Sequence, residues 1–127
     1  MRVLIVDDDL TFSKMLKETL DGYGHVSDLT FDAMSGTQRA IDQHPEVILL
    51  DKRIPAGNAF IVKERLARNE STRNIPVIMI TGYSTDEDTA QAEKMGFYKV
   101  MSKPFTARDL IETLGHIERH EGAPAAA

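Results

Sequence analysis

Short apolar runs separated by amphipathic stretches organise this chain. Three runs, "RVLIV" ending at Val6, "EVILL" ending at Leu50 and "PVIMI" ending at Ile80, are apolar almost without a break. Two others, "HVSDLTF" (His25–Phe31) and "YKVMS" (Tyr98–Ser102), alternate or mix polar and apolar residues. Runs this short, bounded by polar clusters, predict β-strands. Between them the apolar residues recur at helical spacing. Phe12, Met15, Leu16, Thr19 and Leu20 share one stripe, and Leu110, Ile111, Leu114 and Ile117 share another. "QRAIDQ", "FIVKERLARN" and "DTAQAEKMG" supply the remaining helices, with Gly96 ending the last of these as a C′ residue. Thr106 and Asp109 read as an acid-bearing variant of the capping box at the start of the final helix. Strand followed by helix, five times over, predicts an α/β domain: a five-stranded parallel sheet with helices on both faces.

Strand character also suggests the order of the sheet. Val3–Val6, Val47–Leu50 and Val77–Ile80 are continuously apolar, as strands covered on both faces must be. The alternating segments suit the edges. With right-handed crossovers, order 2-1-3-4-5 satisfies both conditions. In such a sheet ligands bind between strands 1 and 3, beyond the carboxyl ends. Residues 1–120 make one domain without repeats, and "EGAPAAA" (121–127) reads as a flexible tail or a truncated linker.

Composition narrows the possible functions. A chain of 127 residues suits a single core. A formal net charge of −5 argues against direct binding of nucleic acid, whose phosphates need a basic face. Without cysteine there are no disulfides, thiolate metal sites or thiol nucleophile. The apolar run at the N-terminus is too short for a signal peptide or a membrane span, so the expected location is cytoplasmic and no membrane partner is expected. His25, His44, His116 and His120 show no metal-ligand spacing, and the pair four apart on the last helix is expected to face solvent. "RLARNESTR" reads as a mixed solvated surface.

The candidate chemistry lies where the apolar runs stop. Strand 1 delivers Asp7 and Asp8, strand 3 Asp51, strand 4 Thr81, and strand 5 Lys103 followed by Pro104. Asp9 reads as the N-cap of the first helix. Two carboxylates about 4 Å apart repel by roughly 1 kcal/mol in water and roughly 4 kcal/mol at a protein surface. A chain that crowds them offers hard oxygen ligands for Mg²⁺ (or Mn²⁺). Lys103 and Thr81 can hold phosphoryl oxygens, and Asp51 can attack phosphorus to form an acyl phosphate.

"VDDD", "LLDKRIP", "IMITGY" and "VMSKPF", in that register from Arg2 to about Arg119, resemble the receiver domain of bacterial two-component response regulators. Flavodoxin-like order 2-1-3-4-5 is typical of receivers, so topology and resemblance are one argument, not two. The resemblance implies that Asp51 accepts a phosphoryl group from a sensor histidine kinase or a histidine phosphotransfer protein. It implies Asp8 and Asp51 as direct Mg²⁺ ligands, Asp7 acting through water, and the Arg53 backbone carbonyl completing the set. Lys103 would contact the phosphoryl group, the Lys103–Pro104 peptide would be cis, and Thr81 would be the switch hydroxyl. Such a domain catalyses only its own phosphorylation and dephosphorylation, and its output is an unassigned domain or protein. The fourth helix, fifth strand and fifth helix form the family's usual homodimer face. Arg53 and Tyr83, two past Asp51 and Thr81, border the site and are expected to tune signal lifetime. Three positions depart from the family pattern: Val100 at the usual aromatic switch position, with Tyr98 as a substitute on the same side, Ala59 where a Gly is usual, and Ile54 for Met. The competing readings are a docking module that is never phosphorylated and an aspartyl-phosphate phosphatase. The second would need an acid two residues past Asp51, where Arg53 stands. A flavin mononucleotide carrier would need a glycine-rich loop where "DDDLTF" stands.

Overall fold

The structure is a computed structural model and describes residues 1–120; the tail 121–127 lies outside the described residues. Strands β1 (Arg2–Val6), β2 (Val26–Thr30), β3 (Val47–Asp51), β6 (Val77–Thr81) and β7 (Lys99–Ser102) form one parallel sheet in the order β2-β1-β3-β6-β7. Counting only these five, this is the expected 2-1-3-4-5. Helices α1 (Leu10–Gly22), α2 (Ala33–Gln43), α3 (Ala59–Ala67), α4 (Asp86–Lys94) and α5 (Ala107–His120) complete the alternation. A two-residue hairpin, β4 (Arg53–Ile54) with β5 (Gly57–Asn58), forms between β3 and α3. None of the described helices is long and apolar enough to cross a membrane.

The apolar runs are continuous because both of their faces are buried. On one face Val3, Ile5, Val47, Leu49, Ile78 and Ile80 pack with Leu16 and Leu20 of α1 and Leu110, Leu114 and Ile117 of α5. On the other, Leu4, Val6, Ile48, Leu50, Val77 and Met79 meet Ala33 and Ala40 of α2, Val62 and Leu66 of α3, and Ala92 of α4. Alternate residues therefore feed separate clusters, which pins the register.

Helix boundaries follow their caps. Asp9 caps α1 by accepting from the Phe12 N–H at 3.0 Å, as the sequence predicts. Gly96 leaves α4 with φ +83°, the left-handed conformation of a C′ glycine. The reciprocal capping box belongs to α4, between Thr85 and Asp88. At α5 the Thr106 hydroxyl accepts from the Asp109 N–H at 3.0 Å.

Several expectations need correction. Met15 is exposed, and Ser13 takes an inward place on α1, where its hydroxyl donates to the Asp7 carbonyl at 3.4 Å. Phe31 lies outside β2 and is partly exposed. The "RLARNESTR" segment is not wholly solvated: Leu66 and Thr72 are buried, and the Thr72 hydroxyl donates to the Leu66 carbonyl at 2.8 Å, closing the end of α3.

Gly36 shows how closely α2 sits on the sheet. A Cβ there would lie 2.8 and 2.9 Å from the two methyl carbons of buried Val6. Replacing Gly36 by Ala gains about 1 kcal/mol of helix propensity but overpacks the core at a cost of about 1–3 kcal/mol. Gly36→Ala should lower stability by up to about 2 kcal/mol in urea unfolding. A stabilised variant would mean that α2 is free to shift.

Candidate functional site

In-register parallel pairing brings the strand-end residues together. Val6 pairs with Leu50, so Asp7 lies level with Asp51, and Asp51 in turn pairs with Ile80. Past the end of β7 the Lys103 N–H donates to the Thr81 carbonyl at 2.8 Å, which carries that lysine back toward the acids. The Lys103–Pro104 bond is cis. Carboxylate oxygens of Asp7, Asp8 and Asp51 all lie within 4.8 Å of one another.

Each acid has a different environment. Asp7 is only 2% exposed; its Oδ1 accepts from the Asp9 N–H at 2.9 Å and its Oδ2 from Lys103 Nζ at 3.0 Å. Asp8 is exposed. Asp51 is half-buried with its Oδ2 3.8 Å from Lys103 Nζ. Burial and the adjacent Asp7 carboxylate push the Asp51 carboxyl up from 3.8 to about 6, while Lys103 and the Arg53 N–H pull the other way. Burial outweighs the lysine because one ammonium is shared between two carboxylates. Three crowded hard-oxygen donors with a single nearby ammonium are a set that could hold a metal ion.

Thr81 is buried at the end of β6, and its hydroxyl is engaged by its own turn. It donates to the Tyr83 carbonyl at 2.6 Å and accepts from the Tyr83 N–H at 3.1 Å. Asp51, Arg53, Thr81, Gly82, Tyr83 and Lys103 line one open depression. Arg53 is exposed and Tyr83 is 71% exposed, so both stand at the rim, where the sequence expects them.

The departures at Ala59 and Ile54 are absorbed by packing. Ala59 is fully buried as the first residue of α3, behind an Asn58 cap that accepts from the Ile61 N–H at 3.0 Å. The turn before it closes with Ala56 at φ +64°. Ile54 is buried in the core. The expectation for Tyr98 does not hold. Val100 packs with the α2–α3–α4 cluster, whereas Tyr98 packs with the α1–α5 cluster, its ring 6.1 Å from that of His116. Tyr98 precedes β7, so strand alternation does not govern its direction. His116 and His120 are exposed, with ring centroids 4.4 Å apart.

Two contacts are invisible to motif reading. Lys52, next to Asp51, forms a largely buried ion pair with Asp88 of α4, and the same carboxylate accepts from the Thr85 N–H. Lys52 and the cap hold the Asp88 carboxyl below the usual carboxylate range. The second contact is the Phe12 ring, whose centroid lies 4.1 Å from the Lys103 ammonium. In the sequence Phe12 is only one member of the apolar stripe of α1.

Residues 3–115 match the family described as the response regulator receiver domain. The DNA-binding dual master transcriptional regulator RpaA of Synechocystis sp. is 32% identical over 110 residues, 87% of this chain and 46% of that protein. The phosphate regulon transcriptional regulatory protein PhoB of Pseudomonas aeruginosa is 29% identical over 94% of this chain and 52% of its own. This chain spans about half the length of these curated relatives. The polar-differentiation response regulator DivK of Brucella ovis is 28% identical over 88% of this chain and 91% of its own. Among solved structures, a two-component response regulator from Clostridium difficile superposes with a TM-score of 0.89 at 19% identity, covering 97% of this chain and 99% of that one. Chemotaxis protein CheY4 from Vibrio cholerae gives 0.85 at 23% identity, covering 91% and 97%. At those identities the likeness bears on the fold alone. The family match spans most of the chain and includes every strand end of the candidate site, so this protein belongs to the response regulator receiver domains.

Proposed function

We propose that this domain accepts a phosphoryl group on Asp51 from a phosphohistidine of a sensor kinase or phosphotransfer protein, and that the acyl phosphate switches a partner-binding surface. The observation that carries this reading is the position of Asp51: a carboxylate on an open depression, beside two further acids and within reach of one ammonium. An Asp51 oxygen forms the new O–P bond as the donor N–P bond breaks. The electron pair leaves with the imidazole nitrogen, and because the donor ring carries a proton on its other nitrogen it is released as neutral imidazole. Attack by water on phosphorus later breaks the O–P bond, releasing phosphate and restoring the carboxylate. The domain thus acts on its own side chain and not as an enzyme on external substrates.

Asp8 and Asp51, with Asp7 through water and the Arg53 backbone carbonyl, would hold Mg²⁺ or Mn²⁺. When bound, the cation cancels the mutual repulsion of the acids and lets an anionic phosphoryl group approach them. Lys103 pairs with a phosphoryl oxygen. Thr81 gives up its hydrogen bond to the Tyr83 carbonyl to reach another, dragging the loop that leads into α4. Arg53 and Tyr83 at the rim govern the access of water and so the lifetime of the phosphorylated state. The α4–β7–α5 surface carries the change to the output and offers a homodimer face. The output is made by a domain or a separate protein other than this acidic domain. The setting is the cytoplasm.

Acetyl phosphate with Mg²⁺ should add one phosphoryl mass to the chain, and Asp51→Asn should abolish it. An unmodified mass would favour the docking reading.

The raised pKa of Asp51 has a sign. The folded state keeps a proton that the unfolded chain sheds above 3.8, so this group's stabilising contribution is lost as pH rises through about 6. In chelator, Asp51→Asn should therefore be more stable than wild type at neutral pH, on the order of 1–2 kcal/mol, with the gap closing in acid. Millimolar Mg²⁺ should raise the melting temperature of wild type far more than that of the variant. Equal Mg²⁺ effects on both proteins would remove Asp51 from the cation site.

Lys103→Ala should fold and still take phosphate slowly, but phosphorylation should no longer alter amide exchange across α4–β7–α5. An unfolded variant would make the lysine structural.

A further inference from the structure

The Lys103 ammonium meets three groups: Asp7 Oδ2 at 3.0 Å, Asp51 Oδ2 at 3.8 Å, and the face of Phe12, centroid at 4.1 Å. The first two follow from the acid cluster. The third is supplied by α1, and its placement is fixed from two sides. The Phe12 N–H is the donor to the Asp9 cap, so the backbone carrying the ring is tied to the third member of the acidic triplet. The ring itself is held edge-on by Phe105 at 6.0 Å and 89°, two residues past Lys103.

We propose that Phe12 is a positioning residue for Lys103, its ring face holding the ammonium over the phosphoryl-accepting side of Asp51; this rests on the acceptor reading above. The physical reason is the kind of attraction a ring offers. An aromatic face draws a cation through its quadrupole but presents no lone pair, so it does not compete with an oxygen for a particular N–H direction. An ammonium that must leave Asp7 for a phosphoryl oxygen can pivot while remaining over the ring. A leucine would give similar apolar cover without that attraction, and the flexible lysine stem would then spend more time in water. Only 24% of the Lys103 side chain is exposed, and the ring is one of the three groups that surround its ammonium.

The test compares Phe12→Leu and Phe12→Tyr in the full chain by two readouts. The first needs no phosphate. In wild type and Phe12→Tyr, the Lys103 methylene next to the ammonium should show an upfield ring-current shift in its NMR signal, and Phe12→Leu should lose it. The second is the rate of labelling by acetyl phosphate with Mg²⁺, followed against donor concentration well below each melting temperature. Phe12→Leu should lower the saturating rate about three- to tenfold, with the half-saturating donor concentration changed less than about twofold. Phe12→Tyr should restore the rate. A leucine variant that labels at the wild-type rate, a tyrosine variant as slow as leucine, or a Lys103 signal unmoved by the loss of the ring would each overturn the proposal. A wild-type chain that takes no phosphate overturns the acceptor reading instead, and the NMR arm then decides by itself whether Phe12 holds the ammonium.

Discussion

Parallel strands in register end level with one another, and in this chain three of the residues just past or at those ends are aspartates. Asp7, Asp8 and Asp51 bring carboxylate oxygens within 4.8 Å, with one ammonium, Lys103, close by. That uncompensated charge constrains the rest of the site. With burial it raises the Asp51 carboxyl, it holds the Lys103 ammonium 3.0 Å from Asp7 and 3.8 Å from Asp51, and it leaves carboxylate oxygens that could hold a metal ion. A chain selected for stability alone would not place these groups together. The two apolar clusters, one on each face of the sheet, offset the cost of that crowding.

Around this constraint the remaining polar contacts fall into two groups. Some fix the acids: Asp9 caps α1 so that it does not join the cluster, and its N–H satisfies Asp7. Others tie the site to the elements that could report on it. Lys52, adjacent to Asp51, reaches across to Asp88, whose carboxylate also caps α4. Thr81 bonds into the turn at Tyr83, only a short loop before the same helix. The start of α4 is therefore tied to the neighbour of Asp51 and to the turn that follows Thr81, and a shift at either would be felt there.

Val100 sets this member apart from the family's usual relay. A valine in that place fills the α2–α3–α4 side of the core and has no polar tip or ring to swing outward. Tyr98 does not replace it, because it lies before the strand and packs toward α5. The link from Thr81 that the structure offers is the turn at Tyr83 leading to α4, with no aromatic ring at position 100 of β7.

Much of the architecture was legible in the order of residues alone. Continuous apolar runs mark strands buried on both sides, a cap or a C′ glycine acts over three or four residues, and a carboxylate at the end of an apolar run stands at the edge of the sheet. These are local signals, set by burial and by backbone groups that need a partner nearby. Other features resisted such reading. The β4–β5 hairpin depends on the turn at Ala56, Met15 faces out while Ser13 faces in, and Tyr98, just before its strand, packs away from Val100. The pairing of Lys52 with Asp88, 36 residues on, and of Lys103 with Asp7, 96 residues back, together with the ring of Phe12 beneath that ammonium, required the folded chain. A side chain's chemistry is written in its own position, but its partner is chosen by which strands end level and which helix crosses above them, and that is a property of packing.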